Sequence, residues 1–151
     1  MAKKKNTNGR IDTTSLIDLI NKKAGETLAY DLTKENPTEV KDWIPTGSTW
    51  LNKIICVGNP NGGIPVSKIT ELAGLEGSGK SYMAAQIAAN AQKMGIEVVY
   101  FDSESALDPA FLEQAGCDVG KIAYTQAKTV EFVFETMEML LGETDKKMLF
   151  V

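Results

Sequence analysis

"GLEGSGKS", residues 74–81, places glycines, a lysine and a hydroxyl at the spacing G-x-x-x-x-G-K-[ST]. It lies between "SKITELAG", residues 67–74, which is expected to be a strand, and residues 80–94, expected to be a helix stopped by Gly95. Each residue type has a physical task in that setting. Gly74, Gly77 and Gly79 permit backbone angles that turn successive N–H groups inward, and the helix N-terminus adds partial positive charge to the same hollow. A triphosphate suits it: Lys80 would reach the β and γ phosphates, and the Ser81 hydroxyl would complete the shell of a bridging Mg2+. The bland alternative is a glycine-rich turn with a chance lysine, and the full motif between strand and helix weighs against it. The loop does not choose among phosphoryl-transfer chemistries, since kinases, motors, GTPases and recombinases all use it.

The pattern around this loop is regular. "EVVYFDS" (97–103), "KIAYT" (121–125) and "KMLFV" (147–151) read as strands. Residues 108–115, stopped by Gly116, and residues 130–141, stopped by Gly142, read as helices. Strands alternating with helices predict an α/β fold, a parallel sheet with helices on both faces. The small side chains Ala84, Ala85, Ala88, Ala89 and Ala91 would let the helix after Lys80 approach the sheet closely. In the last helix Glu131, Glu135 and Glu138 share one face and read as a solvated surface, while Val130, Val133, Phe134, Met137 and Leu141 share another. Upstream, "TTSLIDLINKKAG" (13–25) predicts an amphipathic helix with a Thr/Ser cap, apolar Leu16, Ile17, Ile20 and Ala24, and Gly25 as its stop. Its stripe must dock on this domain or on a neighbouring subunit. Residues 26–47 read as a connector, "WLNKIICVG" (50–58) as a helical turn or two, and "GNPNGGIP" (58–65) as a loop.

At 151 residues and 43% hydrophobic content the chain supports one principal domain. Every apolar run is too short to span a bilayer, and the basic start lacks the apolar stretch of a signal peptide, so neither membrane insertion nor export is expected. Two distant cysteines, Cys56 and Cys117, and no histidine favour buried thiols over a metal or redox role. Residues 1–23 hold six Lys/Arg against two Asp, and the remainder ten against eighteen acids. Lys3, Lys4 and Lys5 read as a solubilising terminus, and the acidic body shows no obvious nucleic-acid face. The 151 residues hold no guanine-reading N-K-x-D segment.

"FDSESALDP" (101–109) packs three acids behind a strand. Glu104, two residues past the strand end, could orient and deprotonate a water behind the γ phosphate, or be an exposed loop acid; spacing alone leaves both open. Asp108 followed by Pro109 is what any helix start prefers.

"LAGLEGSGKS" followed by "VVYFDSESALDPAFLEQAGCD", with "IPTGSTWLNKII" and "GGIPVSKITELAG" upstream, resembles the ATPase core of the RecA family of DNA strand-exchange recombinases over residues 45–151. The branch, RecA-like or UvsX-like, stays open. The resemblance implies a P-loop ATPase core at 45–151 preceded by a basic tail, oligomerisation helix and connector at 1–44. It also implies ATP and Mg2+ as ligands and a DNA-dependent ATPase of the bacterial or phage-infected cytoplasm that acts in recombination and repair. Partners would be single- and double-stranded DNA and further copies of the chain in a filament, with no membrane contact. Glu104 would activate the hydrolytic water, and Asp108 and Phe111 would flank adenine. The nucleotide set becomes Gly74, Leu75, Glu76, Gly77, Ser78, Gly79, Lys80, Ser81 and Tyr82, with Asp108 and Phe111; the catalytic pair is Glu104 and Lys80, and Ser81 meets the metal. Leu75 stands where bacterial members usually carry proline, and Phe111 where tyrosine is common; neither change removes a phosphate ligand. "KKMLFV" resembles the strand that leads to the family's Mg2+ aspartate, so the chain is expected to be a piece of a longer reading frame whose DNA-binding loops lie past Val151, the alternative being a naturally short protein. Two other readings are a small-molecule kinase built on the same loop and a nonhydrolysing nucleotide-binding assembly module.

Overall fold

The computed structural model describes residues 12–58 and 61–151, so the basic terminus at Lys3, Lys4 and Lys5 and part of the turn-rich loop, Asn59 and Pro60, lie outside the described residues. Two compact units divide between Glu39 and Val40.

The first unit carries helix α1, Thr13–Ala24. Its N-cap is Asp12, not the threonine or serine the pattern suggested: the carboxylate accepts from Ser15 N at 2.9 Å and Ser15 Oγ at 3.0 Å. An aspartate one residue before the first turn caps as well as a hydroxyl does. Gly25 ends the helix with φ +78°. The following segment is tied back through Asn21, whose Oδ1 accepts from Leu28 N and Ala29 N at 2.9 and 2.8 Å. Leu16, Leu19 and Ile20 remain exposed.

The second unit opens with β1, Trp43–Ile44, followed by α2, Thr49–Ile55, and β2, Ile64–Pro65, which pairs antiparallel with β1. This small pair was missed in the sequence. It requires a glycine: Gly63 has φ +156°, and a Cβ there would lie 2.0 Å from the Ile44 carbonyl oxygen. Then come α3, Lys80–Lys93; β3, Glu97–Asp102; α4, Pro109–Gln114; a 3-10 turn, Val119–Lys121; β4, Ile122–Gln126; α5, Val130–Glu143; and β5, Met148–Phe150. The sheet is parallel with order β4-β3-β5, Tyr100 standing opposite Tyr124 and Val98 opposite Leu149. The α/β class and the parallel sheet are as the alternating pattern predicts.

Residues 67–74 do not form the expected strand. A strand exists through its ladder partners, and this stretch pairs with none among the described residues, although β4 and β5 each keep a free outer edge; Ile69 is 98% exposed. Helix α5 also departs from expectation. It passes through Gly142 and ends only where Thr144 turns extended at φ −154°. One glycine costs an exposed helix about 1 kcal/mol, which is too little to stop it. Phe134 and Leu141, expected on the apolar face, are exposed, and Leu140 turns toward the sheet.

The core forms where α3 packs on one face of the sheet. Ala85, Ala88 and Ala91, each fully buried, bring the helix close to Val98 and Tyr100, and Leu112 and Cys117 close one end. Burying a side chain such as Val98 stabilises by about 1.5–3 kcal/mol. The face carrying Val99 is more open, with a groove of about 350 Å3 between the strands and α5. Strand β3 therefore delivers its last residue, Asp102, to the α3 side of the sheet.

Candidate functional site

The turn at residues 74–79 folds back on itself. Ser78 N donates to the Leu75 carbonyl at 3.2 Å, and a Cβ at Gly74 would meet the Ser78 hydroxyl at 2.6 Å. Gly77 and Gly79 adopt φ of 73° and 88°, angles that glycine takes without strain. Gly79 is the N-cap of α3, and α3 is the one α-helix among the described residues whose N-cap makes no side-chain hydrogen bond; Asp12, Ser48, Asp108 and Thr129 cap the others. The first-turn N–H groups of α3 are thus left for water or a ligand.

Lys80 Nζ donates to the carbonyls of Gly74 and Leu75, both at 2.9 Å. An ammonium has three donors, so one remains to meet an anion. Glu76 and Ser81 are exposed and Leu75 is 86% exposed, so the surface of the turn is open. The donors fit a polyphosphate, and the Ser81 hydroxyl is available to a cation held by it.

One turn into α3, Tyr82 meets Phe111 of α4 edge-on, with ring centroids 6.0 Å apart and planes at 65°. Asp108 caps α4, its Oδ1 accepting from Ala110 N at 2.9 Å, as Asp-Pro at a helix start predicts. Glu104 lies in the loop after β3, exposed, and its carboxylate makes no hydrogen bond or ion pair among the described residues. Thus Gly74, Leu75, Ser78 and Lys80 are joined by contacts, as are Tyr82 and Phe111, while the Glu104 carboxylate touches neither group.

Asp102 is the first of the three acids in residues 101–109. It is 9% exposed, and its carboxylate accepts from Glu104 N at 3.0 Å, Ser105 N at 2.8 Å, Leu107 N at 3.0 Å and the Tyr124 hydroxyl at 3.0 Å. The Leu107 amide bond, with help from Tyr124 and the other amides, holds the Asp102 carboxyl below its ordinary value. Burial, then the bond to Asp102, pushes the Tyr124 phenol up. The Cys117 thiol is likewise pushed up by burial, and both cysteines are free. Among the described residues no three His, Cys, Asp or Glu side chains gather as a metal site, and no helix is long and apolar enough to cross a membrane.

Known proteins share this arrangement of sequence. The RecA N-terminal domain matches residues 12–151. Protein RecA of Streptomyces coelicolor is 40% identical over 111 residues, covering 74% of this chain and 28% of the relative. Protein RecA of Streptomyces avermitilis is 37% identical over 107 residues, 71% of this chain and 27% of the relative. Protein RecA of Aquifex pyrophilus is 37% identical over 123 residues, 82% of this chain and 34% of the relative. The chain thus spans about a quarter to a third of the length of these curated relatives. Because the match runs from α1 to β5 and takes in both the turn under Lys80 and the loop that carries Glu104, this chain belongs to the RecA family.

Proposed function

We infer that the second compact unit is the nucleotide-binding part of an ATP-dependent DNA strand-exchange recombinase. One observation supports it above the others: the Lys80 ammonium is held over a glycine turn at the uncapped N-terminus of α3. Backbone N–H groups, a helix dipole and a cation then converge on one small region, which is what a triphosphate needs. Residues 74–81 form the P-loop, Lys80 binds the β and γ phosphates, and Ser81 supplies a hydroxyl to Mg2+. Tyr82, Phe111 and Asp108 border the base. Glu104 orients and deprotonates the water that attacks the γ phosphorus, and ATP supplies the phosphoryl group whose release is coupled to the DNA-bound state.

The wider reading comes from the family. ATP binding would stabilise a filament of copies on single-stranded DNA that pairs homologous duplex, hydrolysis would release it, and the process would serve recombination and repair in the cytoplasm of a bacterial or phage-infected cell. The exposed apolar residues of α1, Leu16, Leu19 and Ile20, favour a role for the first unit in contacts between copies.

The variant Lys80→Ala tests the site. It removes a charge-assisted donor to the phosphates, so ATP affinity by fluorescence titration should fall about ten- to hundredfold. Unchanged ATP affinity would overturn the assignment, and phosphoryl transfer to a small acceptor without DNA would favour a kinase.

A further inference from the structure

We propose that Asp102 and Tyr124 are positioning residues that fix how Glu104 is presented, an inference that rests on Glu104 being the water-activating carboxylate. The geometry carries it. Asp102 is the last residue of β3, nearly buried on the side of the sheet where α3 and α4 pack. Oδ1 accepts from Glu104 N and Ser105 N at 3.0 and 2.8 Å, and Oδ2 accepts from Leu107 N and the Tyr124 hydroxyl, both at 3.0 Å. An ionised carboxylate has about four lone-pair positions, so these donors fill it. In this arrangement Asp102 has no oxygen left for a metal ion or a reacting proton, so it holds the loop and does not react.

The same bonds determine the shape of the loop. The amide of Glu104 itself is gripped, so the carboxylate fixes the backbone from which the Glu104 side chain departs. Ser105 is held at φ +54°, a left-handed conformation that a residue with a Cβ adopts only when its surroundings impose it. Leu107 anchors the far end by packing against the core. Tyr124 ties the loop to the neighbouring strand: it stands opposite Tyr100 in the parallel register, two residues before the end of β4. A free loop would sample many positions for Glu104, and misplacement of a catalytic group by about 1 Å can cost a hundredfold. The latch removes that freedom.

The test uses the full encoded protein with Tyr124→Phe, which deletes one hydroxyl and leaves the three amide bonds, and Tyr124→Phe/Glu104→Gln. Tyr124→Phe should lower kcat for ATP hydrolysis by about tenfold with ATP affinity within about twofold of wild type. In the Glu104→Gln background the same substitution should change the residual rate by less than about twofold, because there is no carboxylate left to place. Amide exchange at Glu104, Ser105 and Leu107 should quicken in Tyr124→Phe, and this measurement is made on the folded protein whatever its activity. Normal hydrolysis in Tyr124→Phe, or an equal loss in both backgrounds, would overturn the positioning role. Normal hydrolysis in Glu104→Gln would instead overturn the assignment of Glu104.

Discussion

Tyr82, in the first turn of α3, and Phe111, in α4, lie edge to face with ring centroids 6.0 Å apart, although 29 positions separate them in the chain. The contact joins the helix that follows the glycine turn to the helix that Asp108 caps. A purine entering from the phosphate side would find Phe111 half-buried and backed by the core, hence fixed in place. Base stacking on a fixed aromatic ring contributes about 1–3 kcal/mol.

Phe111→Leu keeps apolar bulk and removes the ring. ATP affinity should fall about tenfold, and affinity for inorganic tripolyphosphate should stay as in wild type, because only the base loses a partner. Competition titrations with both ligands check it, and an equal loss for both would place Phe111 away from the base.

Asn52 supports the segment leading into the core. It is 6% exposed, and its Oδ1 accepts from both Thr46 N at 3.0 Å and Thr46 Oγ1 at 2.7 Å. Thr46 is 2% exposed and its hydroxyl can still donate to the Ser48 carbonyl at 3.3 Å, so Asn52→Ala would leave the buried Thr46 N–H unpaired at a cost of about 1–3 kcal/mol. Urea unfolding measures this, and a loss under about 0.5 kcal/mol would mean that water replaces the amide.

Acid should release the loop after β3. The folded Asp102 carboxyl lies below its ordinary value of 3.8, chiefly through the Leu107 amide, so its contribution is present above 3.8 and is lost as pH falls through the folded value. Tyr100 on β3 and Tyr124 on β4 are the titratable neighbours facing it, and both phenols are shifted up from 10.0, so neither ionises in that range. Amide NMR shifts of Ser105 and Leu107 should therefore move together with a midpoint below 3.8. A shared midpoint at or above 3.8 would contradict the latch.

Much of the fold was legible because it depends on local chemistry. Asp108-Pro109 marks a helix start wherever it occurs, Gly95 and Gly116 sit at φ of 75° and 97° behind their helices, and the run Val98-Val99-Tyr100 is what a strand buried on both faces requires. The stretch at 67–74 has equally good local chemistry and still fails as a strand, because a strand needs a ladder partner and local chemistry does not supply one. The β1–β2 pair was hidden for the opposite reason: two-residue strands carry no period, and the close approach of Gly63 to Ile44 shows only in three dimensions.

The candidate site divides in the same way. The turn under Lys80 follows from spacing within eight residues, whereas the link from Asp102 to Tyr124 crosses 22 positions and two strands. A signal was present in part: an aspartate at a strand end followed by small polar residues is the pattern of a side chain that accepts from its own downstream amides. Tyr124 gave no such sign, and only the strand register brings it to the carboxylate.

The central claim is that Glu104 activates the hydrolytic water at a nucleotide held by residues 74–81. The most direct measurement is single-turnover hydrolysis of ATP by Glu104→Gln in the full encoded protein on single-stranded DNA, paired with ATP affinity under the same conditions. Hydrolysis should fall by about a hundredfold with affinity within about twofold of wild type, since the amide keeps the shape and loses the base. Hydrolysis at the wild-type rate, or an affinity that falls as far as the rate, would contradict the claim.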